Sequence, residues 1–377
     1  MASDTVALRA PVGPAEAGPV TIGAFVYRTS PQRIVFGSGS RKRLADEARL
    51  AGIARALIVS TPEQSSHANE IAGVLGERCA LIFAGARMHT PVTVTEEAVA
   101  LAKEQAVDGV VAIGGGSAIG LAKAIALRTN LTQIVLPTTY AGSEMTDILG
   151  QTAEGAKQTM RDARILPEVV IYDVDLTTTL PAEMSVTSGF NAIAHAVEGL
   201  YAENTNPFVA LMAEEGIRAL ASALPRIAAS LGDTAARSEA LYGAWLCGAV
   251  LQATSMALHH KLCHVLGGAF DLPHAQTHAV LLPHTLAFNA PAVPEAMVRV
   301  SRALDTPHPA RRLFELLRGS GAPSSLCELG MPAETLEQAA ELALANPYWN
   351  PRPLLRSGIR ALLEDAWHGR PPGSTTS

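Results

Sequence analysis

The stretch "VVAIGGGSAIGLAKAIAL", residues 110–127, decides the fold of the first half of the chain. A β-branched apolar run ends at Ile113, three glycines follow, and an Ala-rich segment begins at Ser117. We therefore predict a buried strand, a turn at Gly114–Gly116 and a helix that starts at Ser117. The N-terminus of such a helix offers free N–H groups to a phosphate. The spacing matches neither the GxGxxG nor the P-loop pattern, so the turn alone leaves open a tight connection that binds nothing.

Further strand signals surround this unit. They are the short apolar runs "RALIVS" at 55, "CALIFAG" at 79, "QIVLPTT" at 133 and "EVVIYD" at 168. Because these runs alternate with helical stretches, they predict a parallel sheet wrapped by helices. We assign residues 22–180 to a Rossmann-like α/β domain.

The second half of the chain has a different pattern. Strand signals stop near residue 180, and long Ala/Leu-rich segments such as 207–230 and 234–258 follow. They predict an all-helical domain over residues 181–369. Residues 1–21 and 370–377 have the composition of disordered tails.

Composition and charge exclude several classes of function. The 377 residues carry a net charge of −6 and no basic block, which argues against nucleic acid or an anionic membrane as a partner. The four cysteines are far apart and form no CxxC pair, as is typical of free thiols in a reducing compartment. The start of the chain holds neither a secretory signal nor a membrane span. We therefore expect a soluble, cytoplasmic protein.

A second polar loop, "LPTTYAGSE" at 136–144, is expected at the same carboxyl edge of the sheet as the glycine turn. Two polar loops at the edge where open α/β sheets bind ligands predict a dinucleotide site. No acid stands at Thr61, after "RALIVS", to select NADH over NADPH, so either nucleotide is expected. The predicted cofactor-binding residues are Gly114, Gly115, Gly116, Ser117, Thr138, Thr139, Tyr140, Ser143, Thr61 and Lys157.

A polar stripe interrupts an apolar helix in "SGFNAIAHAVEGL", residues 188–200. At helical pitch Asn191, His195 and Glu198 lie on one face. A buried stripe of this kind costs stability unless its members have partners. The stripe is therefore expected to face a site.

Histidines are concentrated in "HHKLCHVLGGAFDLPHAQTHAVLLPH", residues 259–284. His260 and His264 are four apart on one helical face, and His274 follows a proline turn. Together with His195, these imidazoles have the chemistry of a metal site, although a single histidine in an apolar helix is more often a core residue. His259, His278 and His284 are left open to a structural role.

These motifs together resemble one family along nearly the whole chain. "GGGS" with Lys123 downstream, "PTTYAGSE", "GFNAIAHAVEG" and "CHVLGGAFDLPHA" are similar in order and spacing to the iron-containing (group III) alcohol dehydrogenase superfamily. The closest resemblance is to its maleylacetate reductase branch, also through "FVYRTSPQRIVFG" and "NPRP". The resemblance implies a nucleotide-binding α/β domain, a helical domain and an active site in the cleft between them.

The resemblance also identifies site positions. Metal-dependent members hold a divalent ion at the positions of Asn191, His195, His260 and His274, and the position of His264 lines the site without binding metal. Asn191 stands where those members have Asp, and Gly120 where they have another Asp. Both departures match the reductase branch, and a neutral amide holds a hard cation less well than a carboxylate does. We expect no metal.

The implied reaction is NAD(P)H-dependent reduction of the conjugated carbon–carbon double bond of maleylacetate to 3-oxoadipate, in the catabolism of aromatic compounds. Asn191, His195, His260, His264, His274 and Lys261 are the expected catalytic residues, with the proton coming from His264 or His260. Lys261, Lys123, Arg87 and His89 are the candidate anchors for this dicarboxylate. The resemblance implies a homodimer. Two alternatives are a metal-dependent alcohol or polyol dehydrogenase, in which Asn191 still ligates, and a non-catalytic nucleotide-binding relative.

Overall fold

The computed structural model of the protein describes residues 24–153 and 156–375, without the side chains of residues 153–158. The strands are β1 (Arg33–Phe36), β2 (Ala56–Val59), β3 (Cys79–Phe83), β4 (Gly109–Gly114), β5 (Thr132–Pro137), β6 (Ile148–Ala153), β7 (Ala156–Arg161) and β8 (Val169–Tyr172). The α-helices are α1 (Leu44–Leu50), α2 (Ser65–Leu75), α3 (Val92–Glu104), α4 (Gly116–Thr129), α5 (Ala182–Leu200), α6 (Pro207–Ala229), α7 (Thr234–Ala253), α8 (Leu258–Phe270), α9 (His274–Asn289), α10 (Pro294–Ala303), α11 (Pro309–Gly319), α12 (Leu336–Leu344) and α13 (Arg356–His368).

Six strands form a parallel sheet in the order β1-β8-β5-β4-β2-β3. The strand β4 is central and fully buried, because helices cover both faces and its "VVAI" side chains pack above and below the sheet. The predicted parallel α/β domain is confirmed. The sequence patterns missed the short edge strand β1 and the antiparallel hairpin β6–β7.

The strand order creates a switch point between β2 and β4. After β2 the chain moves outward to β3, and after β4 it moves the other way to β5. The loops that leave β2 and β4 therefore separate at the carboxyl edge, which is where doubly wound sheets bind ligands. The glycine turn after β4 lies at this crevice.

The helical part is built around α5. Every residue from Ser185 to Leu200 is buried, because α6, α7 and α9 pack around this helix. Small residues permit the close approach: a Cβ on Gly189 would lie 2.6 Å from a Leu224 methyl carbon. The predicted all-helical second half is confirmed. In the described ranges no single helix is long and apolar enough to span a membrane, and only α7 and α8 together, across a 95° bend, match by length and composition.

The two predicted tails have different outcomes. Residues 1–21 lie outside the described part of the chain. The described part of the C-terminal segment folds back on α13, where the Thr375 hydroxyl and N–H both donate to the carboxylate of Asp365. The expectation of a disordered tail is therefore wrong for residues 370–375, because the buried Asp365 supplies an acceptor for them.

Candidate active site

The polar stripe on α5 lies in the interior, as expected, and its last member organises the next element of the site. Asn191, His195 and Glu198 are all buried. The Glu198 carboxylate accepts the backbone N–H of Ala257 at 3.0 Å and that of His259 at 2.8 Å. It thereby caps the N-terminus of α8, where the helix dipole favours a negative charge.

The same carboxylate orients His260. The His260 Nδ1 and the Glu198 Oε2 are 2.6 Å apart, so Nδ1 carries the hydrogen and donates it. Burial opposes ionisation of Glu198, but the bond from His260 and the backbone donors outweigh it and hold the pKa of Glu198 below its usual value. The buried Nε2 of His260 has no hydrogen-bond partner among the described residues.

The predicted catalytic histidines come together in one cluster. The rings of His195 and His260 stack with centroids 5.0 Å apart, and those of His264 and His274 with centroids 6.4 Å apart. His260 and His264 are also 6.4 Å apart, edge to face. Burial divides the cluster, since His195 and His260 are buried whereas His264 and His274 are exposed. Burial, reinforced by the neighbouring histidines, lowers the pKa of His195 far below its usual value, so this ring is neutral.

Two further histidines belong to this cluster, although the sequence left them open to a structural role. The ring of His278 lies 4.4 Å from that of His274 and 4.9 Å from that of His260. His259 lies behind it, with Nε2 2.9 Å from the Nδ1 of His278. The signal for His278 was present, because it stands four residues after His274 on the same face of α9.

The loop after β5 joins the nucleotide edge to the histidines. Gly142 has φ +82°, and a Cβ there would lie 3.1 Å from the Cα of Gly248 and 3.7 Å from the Nδ1 of His195. Only glycine suits both the backbone conformation and the space. The loop predicted to bind the cofactor therefore reaches the histidine cluster.

The glycine turn at the switch point leaves no room for side chains at Gly114 and Gly115. Gly114 has φ +147°, and a Cβ there would lie 2.4 Å from the Oε1 of Gln64. A Cβ on Gly115 would lie 2.9 Å from the Cγ2 of Thr139. The helix α4 begins at Gly116 with Gly115 as its N-cap, so Ser117 lies in the first turn rather than at the start. The turn presents backbone N–H groups without side chains, which fits a nucleotide pyrophosphate.

Gln64 is a site residue that the sequence reasoning missed. It follows Thr61 on the turn after β2, and its Nε2 donates to the Oγ1 of Thr138 over 2.7 Å. This bond joins the turn after β2 to the loop after β5. The sequence could have identified Gln64, because it follows the strand "RALIVS" and so lies at the same carboxyl edge of the sheet as the glycine turn.

Two residues that were predicted to bind the substrate or the cofactor, Lys123 and Tyr140, do not line the site. Lys123 is fully buried, and its ammonium donates to the carbonyls of Ser143 and Ile148 at 2.6 and 2.9 Å. Burial lowers its pKa to about 7. The prediction that Lys123 anchors the substrate is wrong, because its amine is enclosed by the loop that it supports. The Tyr140 side chain is also fully buried and points to Arg237, so it does not line the nucleotide crevice.

The binding roles predicted for Lys261, Arg87, His89 and Lys157 stay predictions. Lys261 is half-buried, with its ammonium 5.6 Å from the ring centroid of Tyr348. Arg87 is exposed on the loop after β3, and the neighbouring Thr90 fills the space beside Gly120, where a Cβ would lie 2.5 Å from its hydroxyl. His89 lies on that loop too. Lys157 is on β7, but its side chain is outside the described part of the chain.

The donor set lacks the carboxylate that the metal-dependent relatives are expected to have at the position of Asn191. Asn191 presents a buried, neutral amide oxygen that has no partner among residues 24–153 and 156–375. The Glu198 carboxylate contacts the cluster, but its oxygens already accept hydrogen bonds from the backbone at the start of α8 and from His260. A hard divalent cation would therefore meet neutral ligands only, without the carboxylate that it prefers. The arrangement can instead hold an organic anion through imidazole N–H groups.

The chain is similar to known proteins along nearly its whole length. Residues 31–174 match the family model described as iron-containing alcohol dehydrogenase, and residues 185–367 match the C-terminal model of the same family. The chain is 58% identical to a maleylacetate reductase of Sphingobium indicum, over 92% of this chain and 99% of the relative. It is 55% identical to one of Burkholderia cepacia, over 93% and 100%. A solved maleylacetate reductase from a Rhizobium strain superposes with TM-score 0.90 at 54% identity, covering 93% of this chain and 99% of that one.

Proposed function

The chain belongs to the iron-containing alcohol dehydrogenase family, and on that premise we propose that it reduces maleylacetate to 3-oxoadipate with NADH or NADPH and without a metal ion. The chain is an oxidoreductase, and its maleylacetate reductase relatives match it along nearly their whole length. The proposal includes a homodimer in the cytoplasm. The alternative of a metal-dependent alcohol dehydrogenase needs a cation that the donor set around Asn191 does not suit.

The glycine turn and the loop after β5 would hold the nucleotide, and Gly142 on that loop lies beside His195. When bound, the reduced nicotinamide supplies a hydride to the carbon β to the ketone, and the substrate becomes a delocalised enolate. Because this charge is spread over oxygen and carbon, hydrogen bonds from imidazole N–H groups are sufficient to stabilise it. A Lewis acid is not required.

His260 is the proton donor that the geometry favours over His264. Its Nδ1–H is held by an ionised, buried carboxylate, which stabilises a positive charge on the ring and leaves Nε2–H for the α-carbon of the enolate. His264 is exposed, and the neutral His195 holds no spare proton. The contact between Glu198 and His260 is the single observation that carries this chemistry.

Lys261 is the proposed anchor for a carboxylate of the substrate. It stands next to His260 in the sequence and is partly exposed at the N-terminal end of α8. A cation there compensates for the net negative charge of the protein. The exposed Arg87 on the loop after β3 is the weaker candidate.

The test is an assay of the purified protein with maleylacetate and each nucleotide in turn. Loss of nucleotide absorbance with formation of one equivalent of 3-oxoadipate is the expected result. His260→Gln should abolish turnover, whereas His264→Gln should retain part of it. Oxidation of simple alcohols in the presence of added metal, with no consumption of maleylacetate, would establish the alternative.

A further inference from the structure

The segment "NPRP", residues 350–353, is a motif of the sequence to which the proposed reaction assigns no task. The Asn350 Oδ1 accepts the backbone N–H of Leu258, the first residue of α8, over 3.3 Å. The Arg352 guanidinium donates to the carbonyl of Phe288 near the end of α9 over 2.6 Å, and it lies 4.3 Å from the centroid of the Phe288 ring. Two side chains therefore fasten this segment to the two helices that carry most of the histidine cluster.

A second amide fixes the orientation of Asn350. The Asn350 Nδ2 donates to the Oδ1 of Asn289 over 2.9 Å, and the Asn289 Nδ2 donates back to the Oδ1 of Asn350 over 3.1 Å. The Asn350 Nδ2 also donates to the carbonyl of Arg352 over 2.7 Å. Asn289 is the last residue of α9 and is fully buried. Because these bonds use both ends of the Asn350 amide, its oxygen is held towards the start of α8.

Asn350 and Glu198 share the task of capping α8. Glu198 accepts the N–H groups of Ala257 and His259, which stand on either side of Leu258 in the sequence. The N–H of Leu258 is bonded to Asn350 instead. The first N–H groups of a helix have no partner within the helix, so side chains from elsewhere fix the place where it begins. The first turn of α8 is therefore held by α5 through Glu198 and by the NPRP segment through Asn350.

We propose that Asn350 is a positioning residue, which places the first turn of α8, and with it His260 and Lys261, for the reaction. These two residues follow Leu258 within one helical turn, so a shift of the turn displaces the proposed proton donor and the proposed substrate anchor together. The hydrogen bonds of the Asn350 side chain within the described ranges do not reach the glycine turn or the loop after β5. The inference rests on the proposed function, because it takes from it the tasks of His260 and Lys261.

Replacement of Asn350 with alanine tests this assignment. Asn350→Ala should lower kcat about tenfold, corresponding to about 1.4 kcal/mol, and raise KM for maleylacetate about threefold. KM for the nucleotide should stay within about twofold of wild type, because the groups proposed to bind it are unchanged. A contact that only stabilised the fold would lower the urea midpoint without this difference between the two KM values. Asn346→Ala is the matched control and should equal wild type, since Asn346 is an exposed asparagine that also precedes a proline.

Asn289→Ala is a second variant that leaves the Asn350 oxygen in place but removes the amide that orients it. It should show the same difference between the two KM values, with a smaller fall in kcat. If the two amides act as one unit, their losses do not add, and the double variant should be within about twofold of Asn350→Ala alone in kcat.

Hydrogen–deuterium exchange measures the position of α8 independently of activity. The amides of the first turn of α8 should exchange faster in Asn350→Ala than in wild type or in Asn346→Ala, because that turn opens more easily. If the wild type does not reduce maleylacetate but the exchange changes in this way, the proposed reaction fails while the control of α8 by Asn350 stands.

Three results would overturn the inference. One is a folded Asn350→Ala variant with kcat and KM for maleylacetate equal to those of wild type. Another is an equal rise in the KM values for maleylacetate and the nucleotide, which would show a general loosening of the fold. The third is unchanged exchange at the start of α8 in Asn350→Ala.

Discussion

Replacing Glu198 with glutamine removes the charge that orients and stabilises His260 while keeping the volume of the side chain. In the wild type the carboxylate accepts the His260 Nδ1–H at 2.6 Å and two backbone N–H groups at 2.8 and 3.0 Å. The glutamine amide has one acceptor oxygen and an NH₂ group with two donors, so its NH₂ group must face hydrogen-bond donors. Both the proton donor and the start of α8 are affected.

The expected losses of kcat and of stability in Glu198→Gln follow from these contacts. Opposite unit charges about 4 Å apart attract by about 4 kcal/mol at an effective dielectric near 20. A charge-assisted hydrogen bond contributes about 1.5–3 kcal/mol net. Taking about 2.8 kcal/mol for the loss in proton transfer, we expect kcat to fall about 100-fold, at about 1.4 kcal/mol for each factor of ten. The free energy of unfolding should fall by about 1.5–3 kcal/mol, because α8 loses its anionic cap.

The assay compares kcat, KM and urea unfolding of Glu198→Gln with those of Glu203→Gln, a change at an exposed glutamate just beyond the same helix. The control should match wild type in all three. Glu198→Asp keeps the charge and should fall between them. If Glu198→Gln is folded and keeps kcat within threefold of wild type, the carboxylate does not support the proton donor and the mechanism is wrong.

Three further predictions test other parts of the site. Asn191→Asp rebuilds the ligand set of the metal-dependent relatives, so the variant should bind zinc or iron more tightly, as measured by calorimetry. Its metal-free kcat/KM should fall at least tenfold, because a new carboxylate about 6 Å from the enolate costs about 3 kcal/mol at a dielectric near 20. An unchanged metal affinity together with full activity would contradict this prediction. Gly115→Val should raise KM for the nucleotide more than KM for maleylacetate, since even a Cβ would lie 2.9 Å from Thr139, and unchanged nucleotide binding would place the cofactor elsewhere. Burial lowers the pKa of Lys123 from 10.5 in the unfolded chain to about 7 in the folded protein. Between these two pH values the unfolded chain binds the Lys123 proton more tightly than the folded protein does. The free energy of unfolding of the wild type should therefore increase as pH rises from 7 towards 10.5. Lys123→Met should remove that gain in urea midpoints, and an identical pH dependence in the variant would refute the assignment.

The local patterns predicted the fold because each reports burial directly. The β-branched run before Gly114 is buried on both faces of the sheet, and the Ala/Leu periodicity after residue 180 becomes the helices packed around α5. The strand β1 escaped notice because its four residues are too short to show a period. The hairpin β6–β7 escaped notice because its sequence is polar. It is held in position by the loop after β3, whose His89 carbonyl accepts the backbone N–H of Thr152.

The site was predicted less evenly, since sequence spacing does not show which way a side chain points. His195, His260, His264 and His274 come together as the motifs implied. Lys123 resembles an exposed anchor in the sequence, but it faces the interior because the loop after β5 supplies carbonyl acceptors from 20 and 25 residues away. Glu198 was part of the stripe, yet its role as a cap for α8 depends on a contact 59 residues distant. Such partners depend on tertiary packing, which no local pattern records.

The most direct test of the proposed metal-independent reduction is one rate measurement. The protein is dialysed against a strong chelator until elemental analysis finds no stoichiometric iron or zinc, and the oxidation of NADH by maleylacetate is then followed. The neutral oxygen of Asn191 and the Glu198–His260 pair predict the full rate, unchanged when divalent ions are added back. A rate that disappears on chelation and returns with a divalent ion would contradict the proposal.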